Sequence, residues 1–269
     1  MDFYGVVGEK LTHSLSPKIN NRVFELLGID AAYKLFEIKR DDISKLGESM
    51  KVLGIKGVNV TIPYKQEVMK QLDYIAPEAK SIGAINTILL KDNKLYGYNS
   101  DYYGFGSMLK NNDIEVKNKT YVVLGAGGAA KAIIQYLFDE GAKEIYLVSR
   151  DKNKDIDIDS RVIRMDYIDL RGIKGDVIVN TTPVGMYPNV GKSPVSKDVI
   201  NKFESVVDIV YNPELTEFLS IGKKLNKNIC GGLYMLVGQA IKSQEIWQDK
   251  AIDKAIVDKI YNEIRREFM

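Results

Sequence analysis

The chain has little with which to build covalent or metal-based chemistry. It carries one cysteine, Cys230, and so no intrachain disulfide. A lone cysteine is more often a small buried apolar residue than a nucleophile. It carries one histidine, His13, which excludes a zinc site of several histidines and leaves any Ser-His or Cys-His catalysis to that single residue. No metal site is expected, and acid-base work falls to Lys, Asp, Glu or Tyr. No run approaches the ~20 apolar residues that a membrane-spanning helix needs. Met1 to Lys10 lacks a charged segment followed by an apolar one, so no secretory leader is expected and the cytoplasm is the expected location. The net charge is only +2, which gives no electrostatic case for a nucleic-acid or anionic-membrane partner.

What is present fits one large domain or two ordinary ones: 269 residues, 45% hydrophobic and 28% charged, in the usual globular range. The first half alternates strands and helices. Strands are expected at Phe3 to Gly8, Ala32 to Ile38 and Gly57 to Ile62, and helices at Ser16 to Leu27, Asp41 to Met50 and Tyr64 to Leu72. Ser16-Pro17 has the form of an N-cap followed by a first helical residue, and Gly28 is a stop. Ile85 to Leu90 and Lys94 to Tyr98 flank Asp92-Asn93, a hairpin signal. A second unit begins near Asp101. Short apolar strands at Tyr121 to Leu124, Glu144 to Val148, Asp176 to Asn180, Val206 to Val210 and Asn228 to Cys230 point to a doubly wound parallel sheet. Leu233 to Met269 is almost continuously helical in pattern.

Gly125-x-Gly127-x-x-Ala130 follows an apolar strand and opens an amphipathic stretch, Lys131 to Glu140. That context makes it a dinucleotide loop. Gly125 permits the tight turn, Gly127 lets the backbone approach a pyrophosphate, and Ala130 allows close helix-strand packing. After the next strand comes Arg150, where an NAD site usually offers an acidic residue to the ribose. An Arg there holds a 2′-phosphate, and Lys154 adds charge, so NADP is expected over NAD. Asp151 is the residue that could serve an NAD ribose instead.

The run Gly57 to Lys65 is the other informative stretch. Val58, Val60 and Ile62 share one strand face, Asn59 and Thr61 the other, and Pro63 ends the ladder. Lys65 then falls in the first turn of the expected helix, where a cation opposes the macrodipole. Local rules tend to break at functional sites.

Taken with His13-Ser14-Leu15-Ser16-Pro17, Gly83-Ala84-Ile85-Asn86-Thr87, Gly97 to Gly104, Asn180-Thr181-Thr182-Pro183-Val184-Gly185-Met186 and Gly232 to Ala240, these motifs resemble, in order and nearly end to end, those of the shikimate dehydrogenase family. The resemblance implies reversible reduction of 3-dehydroshikimate to shikimate with NADPH, a step toward chorismate and the aromatic amino acids. It implies an α/β chain of two parts. An N-terminal mixed-sheet substrate domain spans residues 1–100, completed by C-terminal helices over 238–269, and a Rossmann-type NADP domain spans 101–237. It places Ser14, Ser16, Asn59, Thr61, Asn86, Asp101, Tyr211 and Gln239 around substrate. Lys65 and Asp101 become the catalytic pair. Gly125, Ala126, Gly127, Gly128, Ala129, Ser149, Arg150, Lys154, Thr181 and Gly232 fall around the cofactor. A homodimer is compatible with it. Asn20, Ser100 and Gln244 depart from the family pattern, which more often has His, Thr and Phe there.

Shikimate carries a carboxylate and three hydroxyls, and the uncharged donors and acceptors named above suit it. Taken singly, each is as readily a cap or turn residue. Hydride transfer to a ketone creates an alkoxide that needs a proton, and Lys65 is the candidate donor. A helix N-terminus acts on a nearby cation by only ~0.3–1 kcal/mol, and an adjacent Asp101 keeps the amine charged. Lys65 is therefore expected to work as a protonated acid. Two alternatives remain open: a quinate/shikimate dehydrogenase using NAD, against which Ser16 and Arg150 argue, and a dinucleotide-sensing protein without turnover, against which the presence of both Lys65 and Asp101 argues.

Overall fold

The computed structural model describes residues 1–11, 14–153 and 158–268; His13 and Lys154 lie outside them. The chain separates into two compact units, Met1–Gly104 with Val237–Ile264, and Phe105–Leu236 with the chain from Arg265.

In the first unit the elements run β1 (Asp2–Gly8), α1 (Ser16–Leu27), β2 (Ala31–Glu37), α2 (Leu46–Leu53), β3 (Gly57–Val60), β4 (Tyr74–Ile75), α3 (Pro77–Ile82), β5 (Thr87–Lys91) and β6 (Lys94–Tyr98), with α4 (Ser100–Asn111) starting there. The sheet order is β2-β1-β3-β5-β6-β4. β1 is parallel to both β2 and β3, whereas β5 is antiparallel to β3 and β6, so the sheet is mixed. Asp92 and Asn93 both adopt positive φ, 50° and 60°, which is the tight hairpin turn expected of that pair. Val58, Val60, Tyr64 and Ile85 lie in one core cluster, and Tyr4, Phe24, Tyr33 and Trp247 in another.

The second unit contains β7 (Thr120–Leu124), α5 (Gly128–Asp139), β8 (Glu144–Val148), β9 (Ile163–Met165), β10 (Val177–Asn180), α6 (Lys197–Ile200), β11 (Ser205–Asp208), α7 (Glu217–Lys224) and β12 (Asn228–Gly231). Its sheet is parallel throughout, in the order β12-β11-β10-β7-β8-β9. Read from β7 as the first strand, this is the doubly wound dinucleotide-binding order. Val122, Leu124, Ile178 and Val206 have no exposed surface, as a sheet covered on both faces requires. Cys230 is buried in β12, and burial pushes its thiol up to about 12, so it stays a neutral apolar residue.

Several expected elements change. Tyr64 to Leu72 is not an α-helix: turns through residues 62–66 lead into a 3-10 turn, Glu67–Gln71. The Lys65 carbonyl accepts from Ile85 N at 3.0 Å, and Met69 N turns back to Gln66 O, so the i to i+4 ladder does not continue past the bond from Val68 N to Tyr64 O at 3.2 Å. The dipole argument about Lys65 therefore falls away. β3 stops at Val60, two residues short of the expected end. Ser16 is the first residue of α1 and Leu15 its cap; no side chain caps that end, though Ser14 Oγ accepts from Ser16 N at 3.2 Å. Asp41 to Met50 divides into a 3-10 turn, Arg40–Lys45, and α2. α5 begins at Gly128 because the glycine loop itself supplies its first turn. The C-terminal stretch is two helices, α8 (Leu233–Gln248) and α9 (Lys254–Arg265), interrupted from Asp249, which adopts φ 51°.

Candidate active site

In the first unit, Lys65 Nζ donates to Asp101 Oδ2 at 2.6 Å, with the two side chains 21% and 16% exposed. A charge-assisted bond of this length in a half-buried setting is worth more than a surface pair. Asp101 sits in the first turn of α4, where the helix favours a carboxylate. The Lys65 backbone is tied to Ile85, next to Asn86, and Ser100, next to Asp101, donates its N–H to Asn86 Oδ1 at 2.6 Å. Asn86 is thus linked by short steps of chain to both charged residues.

Asn86 Oδ1 also accepts from Ser100 Oγ and Thr87 Oγ1, each at 3.1 Å. Three donors on one oxygen fix the amide and leave its Nδ2 with no hydrogen bond among the described residues. That is the end suited to a ligand hydroxyl. Asn59 differs. Its Nδ2 donates to Ser243 Oγ at 2.8 Å, Thr87 Oγ1 at 3.1 Å and Asn86 O at 3.2 Å, and its Oδ1 accepts from Tyr33 OH at 2.7 Å. Asn59 is buried with both ends of its amide engaged, so in this conformation it braces the site from beneath. Tyr33 is buried, which pushes its phenol up. Thr61 follows β3, with its N–H on Val7 O at 2.9 Å and its side chain half-buried. Gln239, on α8, accepts from Ser100 Oγ at 3.5 Å and, through its backbone oxygen, from Ser243 Oγ at 3.0 Å. Tyr211 belongs to the second unit, its ring edge-on to Phe268.

The sequence alone does not single out Tyr33, Thr87 or Ser243, although they complete this network. Thr87 lies in the Gly83 to Thr87 motif, but nothing local marks Tyr33 or Ser243, which meet Asn59 from 26 and 184 residues away.

In the second unit a cavity of about 520 Å³ opens over the glycine loop. Gly125, Ala126, Gly127, Ser149, Arg150 and Asp151 line one side, and Tyr167 with Thr181 to Val184 the other. Gly125 takes φ +100°, and a Cβ there would meet Thr182 Cγ2 at 2.7 Å, so glycine is required for both reasons. Gly127 and Gly128 instead face open space at the start of α5, where backbone N–H groups and the helix dipole favour an anion. Ala130 is buried. Thr181 Oγ1 donates to Leu124 O at 2.8 Å and Gly125 O at 3.1 Å, clamping its loop to the glycine turn. Ser149 Oγ donates to Asp151 O at 2.7 Å. Asp151 Oδ1 accepts from Asn153 N at 3.0 Å, so this carboxylate closes its own turn, while Arg150 is exposed on the cavity wall. Gly232 starts the turn into α8, and its missing Cβ is displaced by the Ile209 backbone, 2.1 Å away. The open helix start and the exposed Arg150 fit a dinucleotide bearing a 2′-phosphate.

A doubly wound sheet with this loop, in a chain that also holds a Lys-Asp pair among uncharged polar groups, defines a dinucleotide-dependent oxidoreductase of the α/β class. A family model described as the shikimate dehydrogenase substrate binding domain matches residues 6–88. A shikimate dehydrogenase (NADP(+)) of Clostridium beijerinckii is 57% identical, each chain covered in full. The crystal structure of shikimate dehydrogenase 1 from Peptoclostridium difficile is 58% identical with a TM-score of 0.91, both chains again covered in full. The Thermus thermophilus shikimate 5-dehydrogenase, solved with NADP(H) and shikimate, is 28% identical with a TM-score of 0.88 over 98% of this chain and 99% of that one. The chain belongs to the shikimate dehydrogenase family.

Proposed function

We propose that this protein catalyses the NADP-dependent interconversion of shikimate and 3-dehydroshikimate, on the route to chorismate and the aromatic amino acids. The observation that carries the reading is the 2.6 Å Lys65–Asp101 pair, tied through Ser100 to an Asn86 amide whose Nδ2 is left for a ligand. Ser14, Ser16, Thr61, Asn86 and Gln239 hold the polyhydroxylated ring, and Asn59 orders them from below through Tyr33 and Ser243. Lys65, as the ammonium, gives its proton to the oxygen of the ketone as it becomes an alcohol; in the other direction the amine takes it back. Asp101 orients the amine through the 2.6 Å hydrogen bond between them. The bound cofactor supplies or accepts the hydride. Gly125, Ala126, Gly127, Gly128 and Ala129 seat its pyrophosphate, and Arg150, with Lys154 beyond it in sequence, takes the 2′-phosphate.

Absorbance at 340 nm with purified protein tests this in four pairings, shikimate or quinate with NADP+ or NAD+. A rise fastest with shikimate and NADP+ supports the reading. A rise fastest with quinate or NAD+ replaces its specificity, and no rise in any pairing favours a dinucleotide-binding protein without turnover. Among the described residues no helix is long and apolar enough to cross a membrane. A cytoplasmic location and a homodimer complete the reading, and cell fractionation and light scattering test them.

A further inference from the structure

The second unit holds a carboxylate that the proposed reaction does not use. Asp208 ends β11 with no exposed surface. Its Oδ2 accepts from Thr216 Oγ1 at 2.7 Å, and its Oδ1 from Val210 N and Asn180 Nδ2, each at 3.0 Å. All three partners are neutral. Burial pushes the carboxyl up to about 6, which leaves it ionised near neutral pH at a cost in desolvation.

A carboxylate can only accept hydrogen bonds. Asn180, at the end of the adjacent strand β10, must therefore turn its NH2 toward Asp208 and its oxygen away. That oxygen accepts from Thr182 N at 3.0 Å and Thr182 Oγ1 at 2.7 Å. Thr182 Oγ1 in turn accepts from Val184 N at 3.3 Å. Hydrogen-bond polarity thus passes from Asp208 through Asn180 into residues 182–184, and the Asn180 NH2 adds a longer bond to Val184 O at 3.4 Å. These residues form one wall of the nucleotide cavity, and Thr182 Cγ2 reaches to 2.7 Å from where a Cβ on Gly125 would sit.

We infer that Asp208 is a positioning residue for dinucleotide binding: by orienting the Asn180 amide it holds the Thr181–Val184 loop against the glycine turn. This rests on reading that cavity as the NADP site. An apolar side chain at 208 removes the acceptor that fixes which end of the Asn180 amide faces Thr182. An amide at 208 keeps it, because its oxygen still accepts from Asn180 Nδ2 and Val210 N while its NH2 donates to the Thr216 hydroxyl.

The test compares Asp208→Ala and Asp208→Asn with wild type. Calorimetric titration gives the NADP+ Kd, and steady-state kinetics give the shikimate KM. Asp208→Ala is expected to raise the NADP+ Kd about tenfold or more, with the shikimate KM at saturating NADP+ changed no more than about twofold. Asp208→Asn, which keeps the acceptor, is expected to recover most of the affinity. Thr182→Val, which leaves the buried pair intact, should weaken NADP+ in the same direction and serves if Asp208→Ala does not fold. An unchanged Kd in Asp208→Ala or Thr182→Val overturns the inference, as does an Asp208→Asn no better than Asp208→Ala, or a shikimate KM that rises in step. Wild type that binds NADP+ without turning over shikimate would sink the substrate reading alone, since the Kd comparison still stands.

Discussion

Gln244 Nε2 donates to Asn20 Oδ1 at 2.8 Å, and neither side chain has exposed surface. These are two of the three positions that the sequence reading sets apart from the family motifs, and they are partners. Asn20 passes the bond on, donating from Nδ2 to Ser16 O at 2.9 Å, so a contact between α8 and α1 ends at a proposed substrate residue. Replacing either amide strands the other. Asn20→Ala and Gln244→Ala are each expected to cost ~1–3 kcal/mol, and the double variant less than their sum by ~0.5 kcal/mol or more. Denaturant titration of the four proteins measures this; strict additivity would show that the bond carries no coupling.

Arg150 is exposed on the cavity wall and, in the proposed role, meets only the 2′-phosphate. Arg150→Gln should therefore lower kcat/KM for NADP+ by ~10-fold or more while NAD+ changes no more than about twofold, since a bond to a charged group is worth ~1.5–3 kcal/mol. Equal losses with both cofactors would place Arg150 elsewhere.

Asp208 also makes a prediction about stability. Its carboxyl is raised to about 6 in the folded chain, against about 4 when unfolded. The fold therefore favours the protonated form. That contribution is full below pH ~4, declines between ~4 and ~6, and is gone above, for a span of about 3 kcal/mol at most. Thermal melts of wild type and Asp208→Asn across pH 4 to 7 should converge or cross as this slope is lost in the variant. A constant difference in Tm over that range would mean that Asp208 does not titrate there.

Legibility followed the range of the interactions. The glycine loop, the Asp92-Asn93 hairpin and the parallel strands depend on neighbours in sequence, and each was readable. The local pattern puts Lys65 on a helix, and what stops that helix is a bond from Ile85 N to the Lys65 carbonyl, twenty residues away. Asn59 looked like one side of a half-exposed strand; four hydrogen bonds, two of them to Tyr33 and Ser243, take it into the interior. The Asn20–Gln244 pair spans nearly the whole chain, and no local pattern announces it. Asp208 leaves a signal, an acidic residue inside the expected apolar strand Val206 to Val210; the strand in fact closes at it, Ser205–Asp208.

The most direct test of Lys65 as the proton donor is the reduction of 3-dehydroshikimate by NADPH, followed at 340 nm, with wild type and Lys65→Ala side by side. The expected result is a kcat lower by ~10²-fold or more, with the NADPH Kd, measured separately, unchanged within about twofold. A kcat within a few-fold of wild type would contradict the assignment of the proton to Lys65 and leave its 2.6 Å bond to Asp101 as a structural ion pair.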